Sequence, residues 1–569
     1  MSTPSYSTRQ LHWYDFHLFF ILAVLAGCGL IYEYLMSHYA GRVLGAIETV
    51  IFGMIGVMIV AMGIGAFLAR YIRCPFTGFA WLEVIIALLG SLSVLIIATI
   101  ISFSYTFPFV IAKNFGLPPD LVPSGGLIEL MKMLANTTPY IMGFIIGVLV
   151  GMEIPLVARA REILHQQHLQ HNAGAIYGVD YIGAGIGAVI WVGFMLALQP
   201  SFAAVLTASA NLVIGFLFYA LFRKRIRYAT ALLLVHFAAA FILVCVGVYG
   251  QKWEMHLEDL LYQDKVIYRK NTPHQHLVLT ERIMNPQQPS ILSFYINGRL
   301  QFSSYDEQIY HSMLVYPAMA ASARHENILI IGGGDGLAIR EVLRWQPKNV
   351  TLLDIDISVV KLFSEPVVFD GNVINKRLLK MNNYAFSDPR VHVHLGDAFL
   401  TVNELLATNQ SFDTIIIDLP DPGHPDLSKL YSARFYGKLL TLLSGDGSMV
   451  VQSTSPYHAK KAFLSIGKTV KHAGFKHVEQ YHHNIPSFGE WGWTIATKQG
   501  VSATTRIKRL PELTVDDTWS SREKILSAFV FSKNFFAELD SIAINRLGTQ
   551  SVYQYHHQGW EEEQGIYKP

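Results

Sequence analysis

The run ILIIGGGDGLAIREVL, residues 328–343, decides how this chain folds. Four apolar β-formers enter a glycine turn, and a helical pattern leaves it. LLDID follows from Leu352, so Asp354 ends the next apolar strand about twenty residues after Gly334, which is Rossmann-like spacing. Strands are predicted at 328–331, 350–353, 391–395, 414–417 and 448–451, separated by helical stretches. Such alternation argues a mainly parallel sheet covered on both faces. Before it, HLVLT and ILSFYING between 266 and 299 alternate in the manner of hairpin strands, so a small β-layer precedes the nucleotide-binding unit.

Ligands of doubly wound sheets bind at the carboxyl ends of the strands, and four of these ends carry aspartate. Asp335 lies inside the glycine turn, Asp354 ends the second strand, Asp397 in LGDAF follows the third, and Asp418 with Asp421 in IIIDLPDP follows the fourth. Asp354 is expected to accept hydrogen bonds from ribose hydroxyls and Asp397 to read an adenine amino group. Asp335 discriminates between ligands. S-adenosylmethionine would bring its amino-acid carboxylate near this turn, where a fixed aspartate repels it. A decarboxylated ligand ends in an ammonium, and at roughly 4 Å and an effective dielectric near 20 such a pair attracts by about 4 kcal/mol before desolvation. Clustered acids in one cleft also raise one another's pKa, which suits a base working near neutrality.

The 569 residues exceed a usual single domain, and 51% hydrophobic residues with a mean hydropathy of +0.33 exceed what a soluble protein carries. Apolar stretches long enough to cross a bilayer fall at 19–35, 50–68, 84–102, 140–157, 175–196, 205–221 and 229–248. The expected architecture is a multi-pass α-helical membrane domain (1–250), a β-hairpin layer (251–305), an α/β Rossmann-like domain (306–500) and a C-terminal extension (501–569). LAGC at 25–28 resembles a lipoprotein processing site, but apolar character continues past Cys28 to Met36, so Met1 is expected to start the mature chain. Glu33, Glu48, Glu153 and Asp180 lie in or near the spans, where acids are expensive and often functional; a cation pathway and polar helix contacts both account for them. The glycines of 183–187 suggest close helix packing.

Arg70, Arg73, Arg159, Arg161, Arg223, Lys224, Arg225 and Arg227 all follow even-numbered spans, which would make those loops cytoplasmic. Seven spans then send the C-terminal part outward, whereas a nucleoside-derived metabolite belongs in the cytosol. The two arguments point to opposite sides unless a further span lies near 107–133. Cys28, Cys74 and Cys245 all fall in the membrane part or at its edges, leaving the C-terminal part without disulfide or thiol catalyst. A net charge of +2 without a basic run sets nucleic acid aside. His392 with His394 and His482 with His483 are too few ligands for a metal site, and none is expected.

Taken together, HQHLVL around Gln275, INGRLQFSSYDEQIYHSML, IIGGGDG, LDID, GDA and DLPDPGHP resemble, in order, the motifs of the polyamine aminopropyltransferases, the spermidine synthase family. The likeness covers about residues 268–498, and GLIYEYL, GMEIPL and AIYGVDYIGAGIGA resemble the multi-pass region fused to some bacterial members. It implies a class I methyltransferase-like fold and transfer of the aminopropyl group of decarboxylated S-adenosylmethionine to putrescine, giving spermidine and 5'-methylthioadenosine. By the family pattern Asp418 is the base with Tyr310 near it, and Asp335, Asp421 and His311 line the polyamine groove. Gln275, Gly332, Gly334, Asp354, Asp397, Ala398 and Pro425 would contact the nucleoside. No cofactor is implied beyond the co-substrate; soluble relatives suggest a dimer or tetramer, and the expected location is a cell (inner) membrane, with the lipid bilayer as partner.

Departures from the family pattern bear on the acceptor. Phe488 in IPSFGEWGW stands where many members carry tyrosine and offers no hydroxyl, and Leu419 and Pro420 replace small polar residues beside the base. Putrescine is the default acceptor, with cadaverine, propanediamine and spermidine as alternatives. A polyamine transporter or sensor that only binds, and a methyltransferase of other specificity, are the competing classes.

Overall fold

A computed structural model describes the chain except for residues 1–6, 45–46, 117–124, 263, 370–371, 516, 518 and 564–569. It separates into two compact units, 1–266 and 267–569.

Among the described residues, the first unit has seven long helices: α1 (Thr8–Leu44), α2 (Ile47–Leu68), α3 (Pro75–Asn114), α4 (Leu127–His165), α5 (Asn172–Gly193), α6 (Pro200–Phe222) and α7 (Ala229–Asp259). All seven are long and apolar enough to cross a membrane, and each overlaps one of the stretches read from the sequence. Part of the 107–133 region lies in α3 and α4 and part outside the described residues. The last helix runs to Asp259, beyond the expected boundary at 250. Cys28 sits buried within α1.

Small residues set the helix spacing. A Cβ on Gly183 of α5 would lie 2.1 Å from the carbonyl oxygen of Ala23, and one on Gly187 would lie 2.6 Å from that of Gly27 on α1. Gly65 of α2 and Gly151 of α4 meet the carbonyls of Val148 and Met62 equally closely, at 2.0 and 2.1 Å. Only glycine permits such backbone approach.

At one end of the bundle the cationic helix ends find partners. Arg161 holds Asp15 of α1 through Nε (2.8 Å) and Nη2 (3.0 Å), His165 adds a contact to the same carboxylate, and Arg159 donates to the carbonyl of Ala69 at the end of α2 (3.0 Å). Glu33 and Glu153 are buried, Asp180 is half-buried, and the Glu48 side chain lies outside the described residues.

The second unit begins with a four-stranded sheet in the order β1 (Lys265–Asn271), β2 (His276–Arg282), β3 (Ile291–Ile296) and β4 (Arg299–Ser303), in which β3 runs antiparallel to both β2 and β4. Helix α8 (Glu307–Ala321) leads into β5 (Asn327–Gly332), α9 (Leu337–Leu343), β6 (Asn349–Asp354) and α10 (Ile357–Ser364). A two-residue hairpin, β7 (Val368–Phe369) with β8 (Asn372–Val373), precedes α11 (Lys376–Met381), β9 (Val391–Leu395), α12 (Ala398–Ala407) and β10 (Phe412–Asp418). Next come α13 (Pro425–Ser428), α14 (Ala433–Leu442), β11 (Leu443–Gln452), α15 (Lys460–His472), β12 (His477–Ile485) and β13 (Gly489–Thr497). The tail adds α16 (Ala503–Arg509), α17 (Arg522–Ser527) and α18 (Ser551–Glu563).

The large sheet has the order β12-β13-β11-β10-β5-β6-β9. Its five predicted strands are parallel, and an antiparallel hairpin, β12–β13, extends one edge, so the sheet is mixed. Ile328, Ile330, Ile416 and Val450 face a core closed by α8, while Leu329, Ile331, Ile415, Ile417 and Val451 face another closed by α14 and α15. Burial on both faces explains why these strands read as unbroken apolar runs.

Candidate active site

Strand register gathers the acids. Asp418 at the end of β10 pairs with Gly332 at the end of β5, and Ile331, one residue earlier, pairs with both Ile417 and Leu353. Gly332, Asp354 and Asp418 therefore stand level along the carboxyl edge, and the chain between them must turn sharply. Gly332 (φ +79°) and Gly333 (φ +69°) take left-handed conformations that L side chains rarely adopt. A Cβ on Gly332 would lie 2.1 Å from the carbonyl oxygen of Asp418, and one on Gly334 would lie 2.6 Å from Oδ2 of Asp354. The turn is glycine because it runs against two aspartates.

One ligating atom each from His311, Asp335 and Asp418 falls within 4.8 Å of the others. His311 is buried, while the two aspartates are half-buried at the cleft. Tyr310 donates to Oδ1 of Asp418 (2.8 Å), and the tyrosine is wedged between Trp493 and Phe488. Loss of water pushes the Asp418 carboxyl up to about 6, with Asp335 adding to the rise against the opposing pull of His311 and the Tyr310 hydrogen bond. Asp335 is likewise raised by burial, although its Oδ1 accepts the N–H of Leu337 (2.9 Å) at the start of α9.

Burial alone would lower the pKa of His311, but its Glu307 partner and Asp335 overcome this and lift it to about 9. Its Nδ1 lies 2.7 Å from the Glu307 carbonyl and 3.1 Å from Oε2 of the same residue. Arg340 holds Glu307 from behind with Nη1 (2.8 Å) and Nη2 (2.9 Å). Near neutral pH the cleft therefore contains an imidazolium between carboxylates. In that state the two carboxylates can accept hydrogen bonds from a cationic N–H donor.

The residues expected to hold the nucleoside line the same edge. Oδ1 of Asp354 accepts the N–H of Asp356 (2.8 Å), and burial, with Asp356 and Asp335 nearby, pushes its pKa to about 6. Oγ1 of Thr272 donates to Oδ2 of Asp356 (2.6 Å) and accepts the N–H of Gln275 (2.9 Å), which seats the turn bearing Gln275 beside the end of β6. Asp397 caps α12 through the N–H of Phe399 (2.9 Å) and pairs with Lys429 (2.6 Å); Ala398 is the buried first residue of that helix. Pro425 opens α13, directly after the loop that bears Asp421.

Three comparisons bear on this arrangement. Residues 307–508 match the spermine/spermidine synthase domain. A polyamine aminopropyltransferase of Shewanella oneidensis is 52% identical over 100% of this chain and 99% of its own. The chain belongs to the polyamine aminopropyltransferase family. Other relatives of that name come from Oceanobacillus iheyensis (30% identical, covering 95% of this chain and 96% of its own) and Streptomyces coelicolor (33%, 87% and 86%). Spermidine synthase structures also align, one of them from Thermotoga maritima at 22% identity and a TM-score of 0.41, over 49% of this chain and 88% of that one. As an aminopropyltransferase the chain is an enzyme, and its likeness to the Shewanella protein takes in the seven-helix unit as well as the α/β unit.

Sequence reading missed several residues of this aminopropyltransferase's site. Nε2 of Gln452 donates to the carbonyl of Leu419 (2.9 Å), to Oη of Tyr431 (2.9 Å) and toward Oδ1 of Asp421 (3.3 Å). The Leu419 carbonyl beside Asp418 thus takes a protein hydrogen bond. Oγ1 of Thr454 donates to Oδ2 of Asp421 (3.2 Å) from a left-handed backbone (φ +58°), which is strained for a β-branched residue. His556 of α18 also reaches that oxygen, and Arg299 of β4 lies against Gly423 in the Asp421 loop. Of the histidine pairs, His392 and His394 are exposed on β9, whereas His482 is bound by Glu490 and the Val530 carbonyl.

Proposed function

We propose that this aminopropyltransferase moves the aminopropyl group of decarboxylated S-adenosylmethionine to putrescine, giving spermidine and 5'-methylthioadenosine, without a further cofactor. The observation that carries the reading is the placement of Asp335 in the glycine turn, with His311 and Asp418 within 4.8 Å. A donor with a terminal ammonium is attracted there, and one with an amino-acid carboxylate is repelled. Asp418 takes the proton from the attacking nitrogen; the N–C bond forms as the C–S bond breaks, and its electron pair returns to sulfur. A carboxyl near 6 can accept that proton at neutral pH and release it afterwards. Tyr310 orients the carboxylate, while Asp335, Asp421 and His311 line the polyamine groove. Gln275, Gly332, Gly334, Asp354, Asp397, Ala398 and Pro425 hold the nucleoside; each sits on the carboxyl edge of the sheet or in a turn or loop beside it.

Purified enzyme given decarboxylated S-adenosylmethionine and a panel of diamines should release 5'-methylthioadenosine fastest with putrescine. Failure to release it with any acceptor would end this reading, and methyl transfer from intact S-adenosylmethionine would replace it.

The same proposal places the seven-helix unit in a cell membrane. Support comes from Phe52, Phe67, Val189 and Phe241, large apolar side chains left exposed on three of the helices. Extraction that requires detergent rather than high salt tests the placement. The basic ends of α2, α4 and α6 argue that those ends face the cytoplasm, and accessibility of an engineered cysteine to an impermeant thiol reagent reports the side of the catalytic unit.

A further inference from the structure

The C-terminal tail is built into the enzyme's acceptor site. Asn545 is fully buried and pins the segment before α18: its backbone N–H donates to Oγ1 of Thr469 on α15 (2.9 Å) and its Nδ2 to the carbonyl of Ser428 (2.8 Å). Val552, the second residue of α18, enters the core between the sheet and α14–α15. A Cβ on Gly559 would lie 2.5 Å from the carbonyl oxygen of His458 and 2.9 Å from Cα of Ala459, so the helix seats directly on the backbone that leads into α15.

This seat brings His556, with 3% of its side chain exposed, to Asp421: Nε2 lies 3.1 Å from Oδ2. The same nitrogen lies 3.0 Å from Nε1 of Trp560, one turn further along the helix, and the indole stacks on His458 with centroids 5.0 Å apart.

The two contacts compete. An indole N–H only donates, and a carboxylate only accepts. With its proton on Nε2, His556 serves Asp421 and turns a hydrogen toward the Trp560 donor. With the proton on Nδ1, it accepts from Trp560 and leaves Asp421 with Gln452 and Thr454 alone.

We propose that His556 and Trp560 form a positioning pair for the acceptor amine: Trp560 draws the imidazole off Asp421 when the substrate ammonium arrives to take its place. The inference rests on the reading of Asp421 as part of the polyamine groove. His556 holds the empty carboxylate in line, and Trp560 makes its release cheap.

Steady-state kinetics of the full chain test this, with putrescine and decarboxylated S-adenosylmethionine varied separately. Trp560→Phe keeps the bulk but removes the donor, so Asp421 stays capped and KM for putrescine should rise about fivefold to tenfold, the worth of one neutral hydrogen bond, with KM for the nucleoside unchanged. Adding His556→Ala to Trp560→Phe removes the cap as well and should bring the putrescine KM back toward the wild-type value. A purely structural role predicts the reverse, with the double variant worse than either single one and both KM values disturbed; that result overturns the proposal, as does an unchanged putrescine KM in Trp560→Phe. Wild-type enzyme that turns over putrescine while the variants behave so refutes the pair alone. A wild type that accepts no diamine refutes the underlying reading with it.

Discussion

The carboxylates on the two halves of the catalytic edge are held in opposite ways. On the nucleoside side, Asp397 has a backbone N–H and a lysine, and Asp354 accepts backbone N–H groups from the turns beside it. On the acceptor side, Asp418 has one donor among the described residues, Tyr310, and shares its surroundings with Asp335 and an imidazolium. The first pattern fixes the geometry of each carboxylate. The second leaves charge unbalanced, so protons move easily. The proposed mechanism accordingly assigns recognition and proton transfer to different strand ends of the same edge.

The largest test of that division is Asp418→Asn. It should lower kcat by about 10² to 10⁴ while leaving the nucleoside KM within a few fold, because only the base is lost; comparable turnover from the variant would remove Asp418 from the chemistry. Asp335→Asn should raise KM for decarboxylated S-adenosylmethionine by roughly 10- to 100-fold through loss of a partly screened ion pair. It should also narrow the preference over the intact carboxylated compound, which competition binding measures.

A pH profile comes next in size. Asp418 must be ionised to act, so kcat/KM should fall on the acid side with a limb near 6. The Tyr310 hydrogen bond lowers that pKa, so Tyr310→Phe should shift the limb to higher pH; a limb that stays or moves down breaks the assignment.

Stability carries its own sign. The pKa of His311 is raised from 6.5 to about 9 on folding, so its contribution is complete below 6.5 and is lost as pH rises through 9. Thermal melts should show a decline over that window which His311→Asn abolishes. The smallest effect belongs to Asp397→Ala, expected to cost about 1 kcal/mol of stability as a lost helix cap with a modest rise in nucleoside KM. A kcat loss as large as that of Asp418→Asn would erase the distinction between the two sides.

Much of this site is legible in the sequence because parallel strands buried on both faces write themselves as apolar runs, and the residue after each run lands on one edge. Asp335, Asp354 and Asp418 are found that way, whereas Asp397 follows the exposed edge strand β9 and is found from the LGDAF motif. The β12–β13 hairpin is harder to read, since HVEQYHHNI is half-buried and breaks the pattern with polar residues. Gln452, Thr454 and Tyr431 are ordinary residue types whose roles appear only when the loop after β10 folds against them. His556 is 135 positions from Asp421, and no local spacing could join them. In the helical unit, length and apolarity located all seven helices, while the glycine contacts of α1 with α5 required knowing which helices are neighbours.

The seat of α18 also has a practical consequence for handling the enzyme. A purification handle that replaces α18 removes His556 from Asp421, so kinetic constants from such a chain would describe an enzyme without that contact. The β2–β3 turn is a safer attachment point, since Ile283 and Met284 there are about two-thirds exposed.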